Sequence, residues 1–168
     1  WDGTLVGIGV SEGGPLITTL AEEYADCMRA VINWCGACDW SWDKELWAFL
    51  HSFEGSAMSE RAYRARLEEM LDNPTPDKQF LGMTYAYHAD ALLSAPPHYR
   101  KLTMPYLAVM GTDDSAIESS DDFFLRARRA GVPITYMRVE GMDHYIRRRP
   151  DIVAASFEWL NAQISDSK

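Results

Sequence analysis

The chain has 168 residues, 47% of them hydrophobic and 12% aromatic, which is enough for one domain with a buried core and too little for a multidomain assembly. Sixteen Lys and Arg against twenty-five Asp and Glu leave a net charge of −9, which argues against a broad basic surface for nucleic acid. No apolar run approaches the roughly 18 residues that cross a bilayer, and three cysteines are too few for a disulfide scaffold. A soluble chain without a membrane span is expected, with a lean to the cytoplasm that the thiols do not fix.

The chain starts at Trp1 without an initiator Met or a signal-peptide pattern, and Leu5 to Gly9 already reads as a buried strand. A piece that starts inside a domain is therefore expected. A glycine-rich turn follows, then a helical pattern in which Leu16, Leu20, Tyr24 and Cys27 recur on one face, with Pro15 suited to the first turn. Ala30 to Trp34 is a second apolar run. Strand, helix and strand in this order predict parallel pairing.

Between about Asp39 and Thr103 the pattern turns helical, with aromatics gathered at Trp40, Trp42, Trp47, Phe49 and Phe53. Ser59 is placed to cap a helix carrying Tyr63, Leu67 and Met70, which Asn73-Pro74-Thr75-Pro76 stops. A further helix is predicted over Phe80 to Leu93, ended by Ala95-Pro96-Pro97. The middle third thus reads as an all-helical insertion, 39–103, between core segments 1–38 and 104–168.

Alternation then returns. Tyr106 to Met110 is an uninterrupted apolar run of the kind buried on both faces of a parallel sheet. The next helix has acids at its start (Glu118, Asp121, Asp122) and bases at its end (Arg126, Arg128, Arg129) before Gly131, in keeping with the helix dipole and a glycine stop. Ile134 to Val139 is another strand. Pro150 opens a last helix with Val153, Phe157, Leu160 and Ile164 as its buried stripe. The fold class is α/β: a mostly parallel sheet of about four strands flanked by helices.

The turn after the first strand, Gly9-Val10-Ser11-Glu12-Gly13-Gly14, has the G-x-S-x-G spacing between a strand and a helix. Small residues on either side permit a sharp, strained turn that raises a serine hydroxyl into the open; the bland alternative is a tight turn packed for steric reasons. A serine needs a base, and the base needs an orienting group. Gly111-Thr112-Asp113-Asp114 and Gly141-Met142-Asp143-His144 follow later strands. Loops leaving the carboxyl ends of parallel strands emerge on one rim, so Ser11, Asp114 and His144 can converge there.

With these three segments the chain resembles the α/β-hydrolase family, whose catalytic residues run in the order Ser, Asp or Glu, His. The wording around Ser11 and Met142-Asp143-His144 is similar to prolyl-oligopeptidase-like peptidases and esterases. The resemblance implies that Ser11 attacks a carbonyl carbon, that His144 takes and returns the proton, that Asp114 orients the imidazole, and that the Glu12 backbone N–H is one oxyanion donor. It leaves Asp113 as a rival acid. His51, His88 and His98 lie in or beside the insertion and read as surface or core histidines. Relative to the family's eight strands the first four are absent, together with the loop that gives the second oxyanion N–H. The chain alone is accordingly expected to be inactive or nearly so, with its first strand an exposed edge.

Two readings compete. Trp34-Cys35-Gly36-Ala37-Cys38 resembles the thioredoxin active-site pentapeptide, although Ala37 stands where proline is usual, and thiol–disulfide exchange would leave the serine, acid and histidine turns unexplained. A non-catalytic hydrolase-like binding module would keep the fold and hold a ligand with the aromatic insertion. For the enzyme, that insertion is either a cap lining an acyl or leaving-group pocket or only cement for the sheet. No cofactor and no metal is called for; the partner is a small-molecule or peptide substrate, with ester, thioester and amide bonds all open.

Overall fold

The computed structural model describes residues 3, 5–38, 58–80, 82–93 and 99–165. The aromatic group at 40–53, His51, His98 and the expected stop at 95–97 lie outside them. Two compact units are present, 1–39 together with 97–168, and 40–96. In chain order the elements are β1 (Leu5–Val10), α1 (Gly13–Glu23), β2 (Met28–Trp34), α2 (Glu60–Asp72), β3 (Gln79–Phe80), β4 (Met83–Thr84), α3 (Tyr85–Leu93), β5 (Tyr106–Gly111), α4 (Ile117–Arg129), β6 (Ile134–Val139) and α5 (Pro150–Ser165).

The first unit is built on a four-stranded sheet in the order β1-β2-β5-β6, with every pair parallel. The register aligns Val10 with Trp34, Trp34 with Val109, and Gly111 with Val139, so the carboxyl ends of the strands form one rim. β5 is buried at every position, as its unbroken apolar run requires. On one face Ile32, Trp34, Leu107, Val109 and Val139 pack against Met142, Ile146 and Leu160. On the other, Phe123, Phe124 and Ala127 of α4 are buried.

Three expectations for this unit need correction. β1 is not buried throughout: Val6, Ile8 and Val10 are 41, 42 and 47% exposed, and only Gly7 and Gly9 are covered. The reason lies in the alternation Val-Gly-Ile-Gly-Val. The glycines meet α1 so closely that a Cβ at Gly7 would lie 2.5 Å from the Ile17 side chain, while the branched residues point to the opposite face. In α1 the face turned to the sheet is Gly14, Thr18 and Ala21, whereas the apolar stripe Leu16, Leu20 and Tyr24 is exposed, and so is Cys27. In α5 the buried residues are Ser156 and Leu160; Phe157 is exposed and meets Trp34 edge-on.

The second unit holds α2 and α3 with a short antiparallel pair, β3 and β4. Ser59 caps α2 by accepting the Ala62 N–H, and Tyr63, Leu67 and Met70 form its buried face. The segment is not all-helical: the helix expected from Phe80 begins at Tyr85. Gly82 takes a φ of +79°, which reverses the chain between the two strands, and Thr84 Oγ1 then accepts the Tyr87 N–H at the helix start. His88 is buried, its Nε2–H donating to the Phe80 carbonyl, as a core histidine does.

Candidate active site

Ser11 directly follows β1 and sits in the left-handed region at φ 53°. For a residue with a Cβ this costs about 1–2 kcal/mol, so the surroundings must impose it. The Ser11 N–H donates to the Trp34 carbonyl and the Ser11 carbonyl accepts the Gly14 N–H, both at 2.8 Å. A Cβ at Gly9 would collide with the Gly13 carbonyl, so the first glycine of the motif is sterically required. The second, Gly13, has open space where a Cβ would stand; Gly14 behind it makes the close approach. Glu12 occupies the N-cap position of α1, where backbone N–H groups lack helical acceptors and the helix dipole favours negative charge.

The acid and histidine turns are tied to one another. The Asp113 N–H donates to the Met142 carbonyl, the Gly141 N–H donates to Thr112 Oγ1, and Gly111 passes so near Met142 that a Cβ there would strike its carbonyl. These ties place Asp114, not Asp113, against the imidazole. Asp114 has a fully buried side chain; its Oδ1 accepts the Ala116 N–H and its Oδ2 lies 2.8 Å from His144 Nδ1. Asp113 is exposed. Because the carboxylate can only accept, Nδ1 carries the imidazole proton, and Nε2 is left to accept from the Ser11 hydroxyl 2.7 Å away. Thus all three side chains predicted at the rim are in one hydrogen-bonded chain.

The hydrogen bond to Asp114 raises the pKa of His144, against the opposing effect of burial, and the Asp114 and Asp143 charges add to it. Asp143 accepts from the Tyr145 N–H and from Arg148, while the Arg147 and Arg148 guanidinium groups each lie 4.5 Å from the Tyr145 ring. This network fixes the turn that carries the imidazole.

The two thiols of Cys35-Gly36-Ala37-Cys38 are free and buried. Burial, with Asp114 adding to it, pushes the Cys35 thiol up to about 12; burial pushes Cys38 up to about 11. Thiol–disulfide exchange needs the opposite shift and an accessible sulfur, so the redox reading is not favoured. Among the described residues no group of three or more His, Cys, Asp or Glu is arranged to hold a metal ion, and no helix is long and apolar enough to cross a membrane. Sequence reasoning passed over Asn33, buried in β2 beneath the serine turn; an amide inside an otherwise apolar run was the available signal.

No protein-family model matches the chain, and no curated protein does. Solved structures do. A carboxylesterase of Nitrososphaera gargenis is 16% identical, with a TM-score of 0.64 over 98% of this chain and 67% of its own. Est1E from Butyrivibrio proteoclasticus with bound ferulic acid is 20% identical, with a TM-score of 0.63 over 96% and 60%. Mouse alpha/beta hydrolase domain-containing protein 10 is 15% identical, with a TM-score of 0.60 over 98% and 64%. Their shared architecture is the α/β-hydrolase fold, and the chain spans roughly two thirds of it.

Proposed function

We propose that this chain, which carries the larger part of an α/β-hydrolase fold, is the catalytic part of a serine hydrolase that cleaves an ester, thioester or amide bond. The observation that carries the reading is the pair of contacts Ser11 Oγ to His144 Nε2 at 2.7 Å and His144 Nδ1 to Asp114 Oδ2 at 2.8 Å. As the Ser11 oxygen bonds to the substrate carbonyl carbon, its proton passes to Nε2. Asp114 holds the tautomer that makes this possible and stabilises the imidazolium. The oxyanion forms at the N-terminus of α1, where the Glu12 N–H is a donor in place before the reaction. Collapse returns the Nε2 proton to the leaving group and leaves an acyl-serine, which water then cleaves with His144 again as base. No cofactor enters these steps.

The second unit departs after the carboxyl end of β2 and the chain returns to begin β5. We assign it the role of a cap that selects the substrate. A binding module without chemistry would not need a base held in the tautomer that accepts from Ser11.

A fluorophosphonate probe tests the reading without requiring a known substrate, because it reports the activated serine directly. One equivalent should attach to Ser11 and none in Ser11→Ala. Labelling elsewhere, or equal labelling of Ser11→Ala, would overturn the assignment.

A further inference from the structure

Asn33 breaks the apolar run of β2 and its side chain is buried at 1% residue exposure. A buried carboxamide must satisfy donors and an acceptor. Its Oδ1 accepts the Gly36 N–H at 3.0 Å, and its Nδ2 donates to the Gly36 carbonyl at 2.8 Å, so one side chain closes both polar groups of that residue. Gly36 in turn lies directly against the serine turn. A Cβ on Gly36 would fall 2.6 Å from the Gly14 Cα and 2.6 Å from the Ser11 carbonyl oxygen; one on Gly14 would strike Asn33 Oδ1 itself.

A second line of bonds runs the same way. Thr18 Oγ1 donates to the Gly14 carbonyl at 2.7 Å and has Tyr106 OH 2.6 Å away, while Asn33 Nδ2 lies 3.0 Å from that phenol oxygen. With the Thr18 proton committed to Gly14, the order is fixed: Asn33 N–H to Tyr106 oxygen, Tyr106 O–H to Thr18, Thr18 O–H to Gly14. Burial keeps the phenol protonated, so the chain stays intact, and aligned bonds of this kind reinforce one another. Ser11 is held in a strained backbone conformation, and these two lines end on Gly14, whose N–H bonds the Ser11 carbonyl, and on Gly36, which lies against that carbonyl.

We infer that Asn33 is a positioning residue for the nucleophile: its carboxamide braces Gly36 and Gly14 and so sets where the Ser11 hydroxyl stands. The inference rests on Ser11 being the nucleophile. It also accounts for the Cys-Gly-Ala-Cys segment, in which Gly36 supplies the close approach and Cys38 packs 3.4 Å from Thr18 and from Asn33.

The test compares Asn33→Ala with Ser156→Ala in the protein. Ser156→Ala removes a buried partner of Trp34 Nε1, bonded at 3.0 Å on the other face of the sheet, and reports general loosening. In Asn33→Ala the maximal rate of Ser11 modification by a fluorophosphonate should fall about 10- to 100-fold, as misplacement of a reacting group does, with probe affinity unchanged. Exchange of the Gly36 amide hydrogen, which loses its acceptor, should accelerate about 5-fold, and that of Gly14, whose bond to the Ser11 carbonyl loses its brace, should accelerate as well. Ser156→Ala should alter neither, although its Tm drops. Equal labelling rates, or unchanged exchange at Gly14, in a folded Asn33→Ala protein overturn the inference. If that variant does not fold, Asn33→Asp retains the acceptor and withdraws the donors; a labelling rate and an exchange rate equal to wild type would overturn it there. Should the wild-type protein fail to label at Ser11, the hydrolase reading fails, whereas exchange at Gly14 and Gly36 still decides whether Asn33 braces the turn.

Discussion

The candidate site joins two unlike halves of the sheet. Ser11 comes from β1, which among the described residues is an edge strand paired with β2, and whose Val6, Ile8 and Val10 are more than two-fifths exposed. Asp114 and His144 come from the turns after β5 and β6, which are bonded to one another above a core that includes Leu107, Val109 and Met142. The difference teaches that burial of a strand is set by what covers its two faces and not by how apolar it is. β1 and β5 carry comparable apolar content, yet only β5 is covered on both sides.

The largest effects should come from breaking the junction of the halves. Ser11→Ala should abolish fluorophosphonate labelling and His144→Ala should all but abolish it, because residues acting as one unit fail together; the labelling rate checks this, and a loss below tenfold would refute the junction. Within the core half the two adjacent carboxylates should separate. Asp114→Asn favours the wrong tautomer of His144 and should slow labelling of Ser11 by up to about 10⁴-fold, whereas Asp113→Asn, exposed and away from the imidazole, should leave the labelling rate within about threefold. Parity between the two would move the acid to the other residue.

Stability sharpens the contrast between strands. Leu107→Ala empties a fully buried site and should cost about 2–5 kcal/mol in urea unfolding. Ile8→Ala, on the uncovered face of β1, should cost about 0.5 kcal/mol or less. Similar losses would mean that β1 is covered in solution.

The smallest effect concerns pH. His144 must be neutral to accept the Ser11 proton, so labelling should fall as pH drops through its raised pKa. Because the folded value lies above the ordinary 6.5, the shift contributes stability that is complete below the ordinary value and is lost as pH rises through the raised one. Asp114→Asn removes the hydrogen bond that raises it and should move the acid limb of labelling to lower pH. An unmoved limb would assign the titration to another group.

Much of this arrangement can be read in the chain itself, where strong local signals agree. The run Tyr106 to Met110, the charge order of α4 and the serine at the cap of α2 all lie where pattern places them. The signals that mislead are those whose outcome depends on partners distant in sequence. Leu16, Leu20 and Tyr24 repeat at helical spacing, but the close approach of α1 to β1 and β2 turns the small residues Gly14, Thr18 and Ala21 inward. Phe157 keeps a helical spacing too, while the polar Ser156 takes the buried place because Trp34 needs an acceptor. Asn33 escapes notice for the same reason: its partner Tyr106, and the Gly14 that Gly36 packs against, are brought to it only by the fold.

One consequence follows from the single bond between the Ser11 N–H and the Trp34 carbonyl at the end of the β1–β2 pairing. Peeling the edge strand away would unseat the alcohol while leaving the carboxylate–imidazole pair untouched. Mild urea should therefore silence the protein before its tryptophans report any collapse of the core, and the lost reactivity should return on dilution at the speed of a local rejoining.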